Sequence, residues 1–166
     1  MKKTVFVFII GILSLSSCKK EMEDPGGTAA QKMSNEWWVT VFSNGADVYG
    51  THVKIKTYNS ASTASEIWVD DFPNPTNATG NVWGFQVKAN ADFNNLTFSA
   101  NQSVSVVPNY DIKVDITDGK VLPGLGHTKT GGTVDSIYMK IKFEDDPTHT
   151  YELKGHGRTG LFEDEY

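Results

Sequence analysis

The sequence predicts an all-β fold: one antiparallel up-and-down β-barrel over residues 35–166, behind a signal peptide at 1–17 and a flexible stalk at 18–34. Three observations predict it. From Trp37 onward the apolar residues recur with a period of two rather than 3.6. The alternating runs are short and are punctuated by Asn, Asp, Gly and Pro. No segment after the signal peptide carries a helical stripe, so the domain is read as all-β, with sequential strands favouring hairpin connections.

The N-terminal segment opens with Lys2-Lys3 and continues with an apolar run over residues 5–13. That run is too short for an ordinary transmembrane helix and long enough for the apolar region of a signal peptide. It ends in Leu15-Ser16-Ser17-Cys18, which holds the single cysteine of the chain and resembles the lipobox of bacterial lipoproteins. That resemblance implies cleavage before Cys18, acylation of its thiol and of the new amine, and a protein held at its membrane. One acyl chain binds only marginally, whereas two or more anchor stably.

Lys19 to Ser34 is charged, small and turn-forming, and reads as a stalk. Its basic pair followed by Glu21, Glu23 and Asp24 resembles the export signal that sends some Gram-negative lipoproteins to the outer leaflet. The expected location is therefore the outer membrane, with the domain facing either the surface or the periplasm.

The barrel strands follow in order. Trp37, Val39 and Val41 share one face of the first strand, and Ser43-Asn44-Gly45-Ala46-Asp47 turns the chain. Val53, Ile55 and Thr57 then alternate with His52, Lys54 and Lys56, and Ile67 with Val69 makes a short third strand. A loop with two prolines follows from Asp70 to Asn77, since proline withholds a ladder donor. A fourth strand is expected to present Trp83, Phe85 and Val87 together. Leu96 and Phe98 alternate next, and Val104 with Val106 makes a short neighbour. Tyr110, Ile112, Val114 and Ile116 alternate with Asp111, Lys113, Asp115 and Thr117, and Asp118-Gly119 then signals a type I′ hairpin. A glycine-rich loop over 124–132 precedes the strand of Ile137, Met139, Ile141 and Phe143; Asp145-Asp146-Pro147 turns into a last strand with Tyr151 and Leu153.

Eight to ten such strands suit a sandwich or a closed barrel, and sequential hairpins favour the barrel, which leaves no exposed sheet edge. The outward sets, such as Lys54 and Lys56, Asp111, Lys113 and Asp115, or Lys140, Lys142 and Glu144, are charged and could not face lipid. The barrel is thus tethered rather than membrane-spanning. Loss of residues 1–17 leaves 149 residues, enough for one domain with a real core, and shifts the formal net charge from −5 to −7. That balance, without a basic cluster interleaved with aromatics, argues against nucleic acid as a partner. With Cys18 alone, the mature fold has no intrachain disulfide.

Several pieces together carry a family resemblance: Trp37-Trp38-Val39-Thr40-Val41, Thr57-Tyr58-Asn59, Ile67-Trp68-Val69-Asp70-Asp71, and Gly155-His156-Gly157-Arg158-Thr159-Gly160 with Glu163-Asp164-Glu165. They resemble the lipocalin-like lipoproteins described as lipid-binding putative hydrolases. The resemblance implies a calycin-type barrel and an apolar ligand. It also makes Trp37 look like the tryptophan that closes the barrel floor in lipocalins.

The residues themselves supply no catalytic signature: there is no Gly-x-Ser-x-Gly elbow and no His-Glu-x-x-His pair, and His149 and His156 stand an odd number of residues apart on one expected strand. No metal or other cofactor is expected. Asp70-Asp71 and Asp145-Asp146 read as turn and solubility residues, since neither has the spaced ligands of a calcium loop. His52 and His156 are expected on wet faces, while His127 in the glycine-rich loop has a modest case for ligand contact.

Two functional readings remain. In the leading one, a lipid or other small apolar ligand sits inside the barrel, lined by Trp37, Val39, Val53, Ile55, Val69, Trp83, Phe85, Phe98, Ile112, Val114, Ile137, Met139, Ile141, Phe143 and Tyr151, with space beside Gly155. In the other, these residues are plain core, and the outward tryptophans Trp38 and Trp68 meet a glycan or an envelope protein.

Overall fold

The computed structural model describes residues 26–71 and 82–166. The expected signal peptide, Cys18, the acidic residues that follow it and most of the two-proline loop lie outside the described residues. Nine strands form one antiparallel sheet: β1 (Asn35–Ser43), β2 (Ala46–Asp47), β3 (Val53–Asn59), β4 (Glu66–Asp70), β5 (Gln86–Asp92), β6 (Thr97–Val104), β7 (Lys113–His127), β8 (Thr133–Phe143) and β9 (Asp146–Gly157). β2 is a two-residue extension of the first hairpin, turned by Asn44 and Gly45 at positive φ. The other eight follow one another around the sheet, and β9 returns to pair with β1 from Trp37 opposite Gly157 to Ser43 opposite Tyr151. The all-β, closed up-and-down barrel is the architecture the alternating sequence predicts.

The inward parity holds through most strands. Val39, Val41, Ile55, Ile67, Val69, Val87, Val114, Ile116, Met139, Ile141 and Leu153 show no exposed surface, and Trp37, Ile137 and Phe143 only 1%. The folded domain also begins earlier than the stalk boundary suggests. Residues 31–33 form a 3-10 turn that drops Met33, fully buried, into one end of the barrel beside Ala30. Thr57 fastens this plug: its hydroxyl donates to the Met33 carbonyl and accepts from Trp37 Nε1 at 2.8 Å. Trp37 is therefore part of the barrel floor.

Five expectations about strands are corrected. β5 starts at Gln86, so Trp83 and Phe85 precede it in a bend. The Asp71 carboxylate accepts the backbone N–H groups of Trp83, Gly84 and Phe85, which are thereby unavailable to a neighbouring strand. Asp118-Gly119 is not a hairpin but a bulge inside the 15-residue β7, which stays paired with β8 on both sides of it. Asp118 supplies the positive φ, and Gly119 lies where a Cβ would stand 2.4 Å from the Phe98 carbonyl oxygen. Gly124 to His127, expected in a loop, likewise belongs to β7 beyond a second irregularity. Finally, Tyr110 and Ile112 precede β7 rather than opening it, and Val104 and Val106 are about half exposed while Ser105 and Val107 are buried. One extra residue of β6 between Ala100 and Ser103 accounts for that change of side; it falls at Gln102, whose backbone N–H and side chain are held by Asp115 at 2.7 and 2.8 Å.

Thr57→Val keeps the shape and removes the hydroxyl between the plug and the floor, leaving the buried Trp37 N–H and Met33 carbonyl unpaired. A loss of about 1–3 kcal/mol in urea unfolding is expected, together with faster amide exchange over residues 31–35.

Candidate ligand site: the barrel interior and its aromatic mouth

The expected lining residues converge as the alternation requires. Trp37, Val39, Val53, Ile55, Val69, Phe85, Phe98, Val114, Ile137, Met139, Ile141 and Phe143 are at most 4% exposed and belong to one apolar cluster. Those of them with no accessible surface border no water-sized space and pack against one another. The expectation of space beside Gly155 is corrected. A Cβ there would stand 2.0 Å from the Trp38 carbonyl oxygen and 2.6 Å from Val39 Cγ1. Gly155 faces Val39 across the closure of β1 on β9, and the missing side chain lets the two strands and the Val39 side chain come together.

The two ends of the barrel differ. Met33 and Trp37 fill one. At the other, Trp83 and Ile112 are only partly buried and Tyr151 is 9% exposed. The Trp83 indole lies flat on Phe143, with centroids 4.6 Å apart and planes 6° apart, and stands 5.4 Å from the Tyr151 ring; Phe85 meets Phe143 at 5.5 Å. Trp83 Nε1 donates to Asp145 at 3.2 Å, and the Tyr110 hydroxyl donates to the same carboxylate. The Tyr151 hydroxyl donates to Asp146 at 2.6 Å, and Tyr49 at the rim donates to the Val82 carbonyl at 2.5 Å.

The electrostatics of the mouth follow from these pairings. Burial raises Asp71 to about 6 against the opposing pull of its three backbone N–H donors. Burial and the neighbouring carboxylates raise Tyr110 and Tyr151 to about 12, so both phenols remain neutral donors. Tyr151 and His149 hold Asp146 below the usual carboxylate range. Asp71, Asp145 and Tyr110 are thus the residues sequence reasoning missed. Their signal was an aspartate pair next to aromatic runs, which is equally the signal of an ordinary turn.

His149 Nδ1 lies 2.8 Å from Asp146 on the exposed stretch that opens β9. His127 ends β7 in solvent at the far end from the mouth. His156, expected on a wet face, is buried although it points outward, because the C-terminal segment covers it: Tyr166 stacks on His52 at 3.8 Å and its hydroxyl lies 3.3 Å from His156 Nε2. The same Tyr166 ring meets outward-facing Trp38 edge-on at 5.6 Å, leaving Trp38 9% exposed. Trp68 is half-buried against Tyr58 at 6.4 Å and under the Lys88 ammonium at 5.4 Å. Both outward tryptophans therefore have partners within the chain. Among the described residues no group of three or more His, Cys, Asp or Glu is placed to hold a metal ion.

A family model described as lipid-binding putative hydrolase matches residues 22–162, nearly the whole barrel domain. No curated protein matches the chain.

Two outcomes follow from this geometry. Gly155→Leu cannot fill a void and instead forces β1 from β9, so the apparent melting temperature should fall with a stability loss of about 3 kcal/mol or more, beyond ordinary overpacking. The Asp71 carboxyl should titrate near pH 6 in carbon-detected NMR, with the Trp83 and Phe85 amides following the same midpoint. Because its folded pKa lies above the unfolded value, its contribution to stability should fall as pH rises from about 4 to 6 and level off above.

Proposed function

Because this chain belongs to the family described as lipid-binding putative hydrolases, we propose that it is a lipid-anchored envelope protein that takes one acyl chain or similar apolar ligand into the mouth of its barrel. Anchoring through acylated Cys18 and an outer-membrane location belong to the same reading and rest on the targeting pattern of residues 2–24.

The observation that carries the reading is the flat stack of Trp83 on Phe143. The indole is outside any strand and half-buried, and its ring is joined to the rim through one hydrogen bond to Asp145. Swinging it aside would uncover Phe143, Tyr151 and Phe85 as an aromatic slot, and an acyl chain in that slot would restore the apolar contacts the indole gives up. Each methylene removed from water contributes roughly 0.8 kcal/mol, so partial burial of one chain is sufficient for micromolar affinity, about −8 kcal/mol. The rim is apolar as well, with Tyr49, Val104 and Val106 all at least 40% exposed.

The polar groups of the mouth are mostly acceptors with negative charge: Asp145, Asp146 and, buried behind them, Asp71. A carboxylate headgroup would meet these at a cost, so long-chain alcohols, esters or amides suit the mouth better than fatty-acid anions at neutral pH.

Fluorescence quenching by brominated acyl chains tests the site. Neutral brominated lipids should quench the wild-type protein and lose most of that quenching in Trp83→Phe, because Trp37, Trp38 and Trp68 lie elsewhere. Trp83→Ala should bind an apolar fluorophore several-fold more tightly, since the covered state no longer competes. Equal quenching in wild type and Trp83→Phe would exclude the mouth as the site.

A further inference from the structure

We propose that the barrel end opposite the mouth rests on the lipid surface, through an apolar patch formed by Leu125 near the tip of the β7–β8 hairpin and by Leu161 and Phe162 in the C-terminal segment. This rests on the acylation of Cys18. Phe162 is 90% exposed, Leu125 66% and Leu161 59%, which places the three most exposed large apolar side chains of the described residues at one end. Three such side chains at one end of the barrel are what a contact surface there would need.

The patch is held in position. Asp164 accepts from the Thr130 N–H at 3.0 Å, the Thr130 hydroxyl at 2.7 Å and the Thr159 hydroxyl at 2.8 Å, which ties the C-terminal segment to the β7–β8 hairpin. Arg158 joins Glu36 at 2.6 Å and Glu165 at 2.7 Å, fixing the same segment to β1. With both flanks fastened, the Phe162 ring is presented to solvent rather than folded back on the wall.

The tether selects the occupant. The chain enters the barrel at this same end, where the 3-10 turn leads into β1. Cys18 stands eight residues before Gly26, a span that cannot exceed about 29 Å of chain. An acylated Cys18 therefore holds the entry end within about 29 Å of the anchor, closer than the mouth at the opposite end. The nearby charges, Lys32, Lys129 and Arg158 against Glu36, Glu163, Asp164 and Glu165, give no positive field, so the contact is apolar insertion into the interface rather than attraction to anionic lipid.

The test uses the full-length acylated protein in phosphatidylcholine vesicles containing lipids with a nitroxide near the headgroup. Acylation consumes the only native cysteine, so Phe162→Cys and Val106→Cys each offer one thiol for a fluorescent label, Val106 being 54% exposed at the mouth end. The label at 162 should be quenched several-fold more than the label at 106, and the difference should survive raised salt. Equal quenching at both sites in protein whose Cys18 lipid is confirmed by mass spectrometry would overturn the surface while leaving the anchor intact. Absence of the lipid from Cys18 would overturn both. Contact at 162 in native envelopes but not in protein-free vesicles would assign the patch to a protein partner and overturn the lipid proposal.

Discussion

The closure of β1 on β9 is the constraint on which the rest of this structure depends. Eight strands joined only by hairpins would otherwise leave two unpaired edges, each a row of free N–H and C=O groups. The closure runs over seven facing pairs, and at Gly155 the strands approach so closely that no side chain could stand there. Once the sheet is closed, every inward residue faces another inward residue, and the interior can only be filled or hollow. The inward set, mixing tryptophan and phenylalanine with many β-branched residues, fills it.

A filled barrel concentrates its functional possibilities at its ends. One end is committed to structure, since Met33 plugs it and the Trp37–Thr57–Met33 relay satisfies the polar groups that the plug buries. The other end is closed by a single indole whose backbone is held by a buried aspartate and whose ring is held by stacking. Stacking is directional but weak compared with a strand ladder, typically about 0.5–1.5 kcal/mol beyond the area buried. The mouth is therefore where a ligand can enter at least cost to the fold.

The outer wall carries paired charges. Lys140 with Asp118, Lys154 with Glu152 and Lys113 with Glu144 pair at 2.9, 2.6 and 3.4 Å, exposed pairs that add little stability individually. The C-terminal segment departs from this pattern. It covers Trp38 and His156, apolar or half-apolar groups on the outward parity, and in doing so exposes Leu161 and Phe162 instead.

The sequence alone determined that the chain forms antiparallel strands, which side of most of them faces inward, and that the outward sets are charged. These follow from a period of two and from turn residues, both properties of neighbours along the chain, and they place most of the inward residues between Trp37 and Leu153. Only the tertiary structure decided the remainder. Asp118-Gly119 has the composition of a hairpin turn, yet it becomes a bulge because β8 pairs with β7 on both sides of it. Gly155 resembles a gap in the wall but is the point of closest approach to a strand more than a hundred residues earlier. Trp83 reads as a strand residue and becomes the cover of the mouth because Asp71, twelve residues before it, takes its N–H. In each case the deciding partner is supplied by another part of the chain, so local alternation names the residue type correctly while leaving its position and its neighbours to the closed sheet.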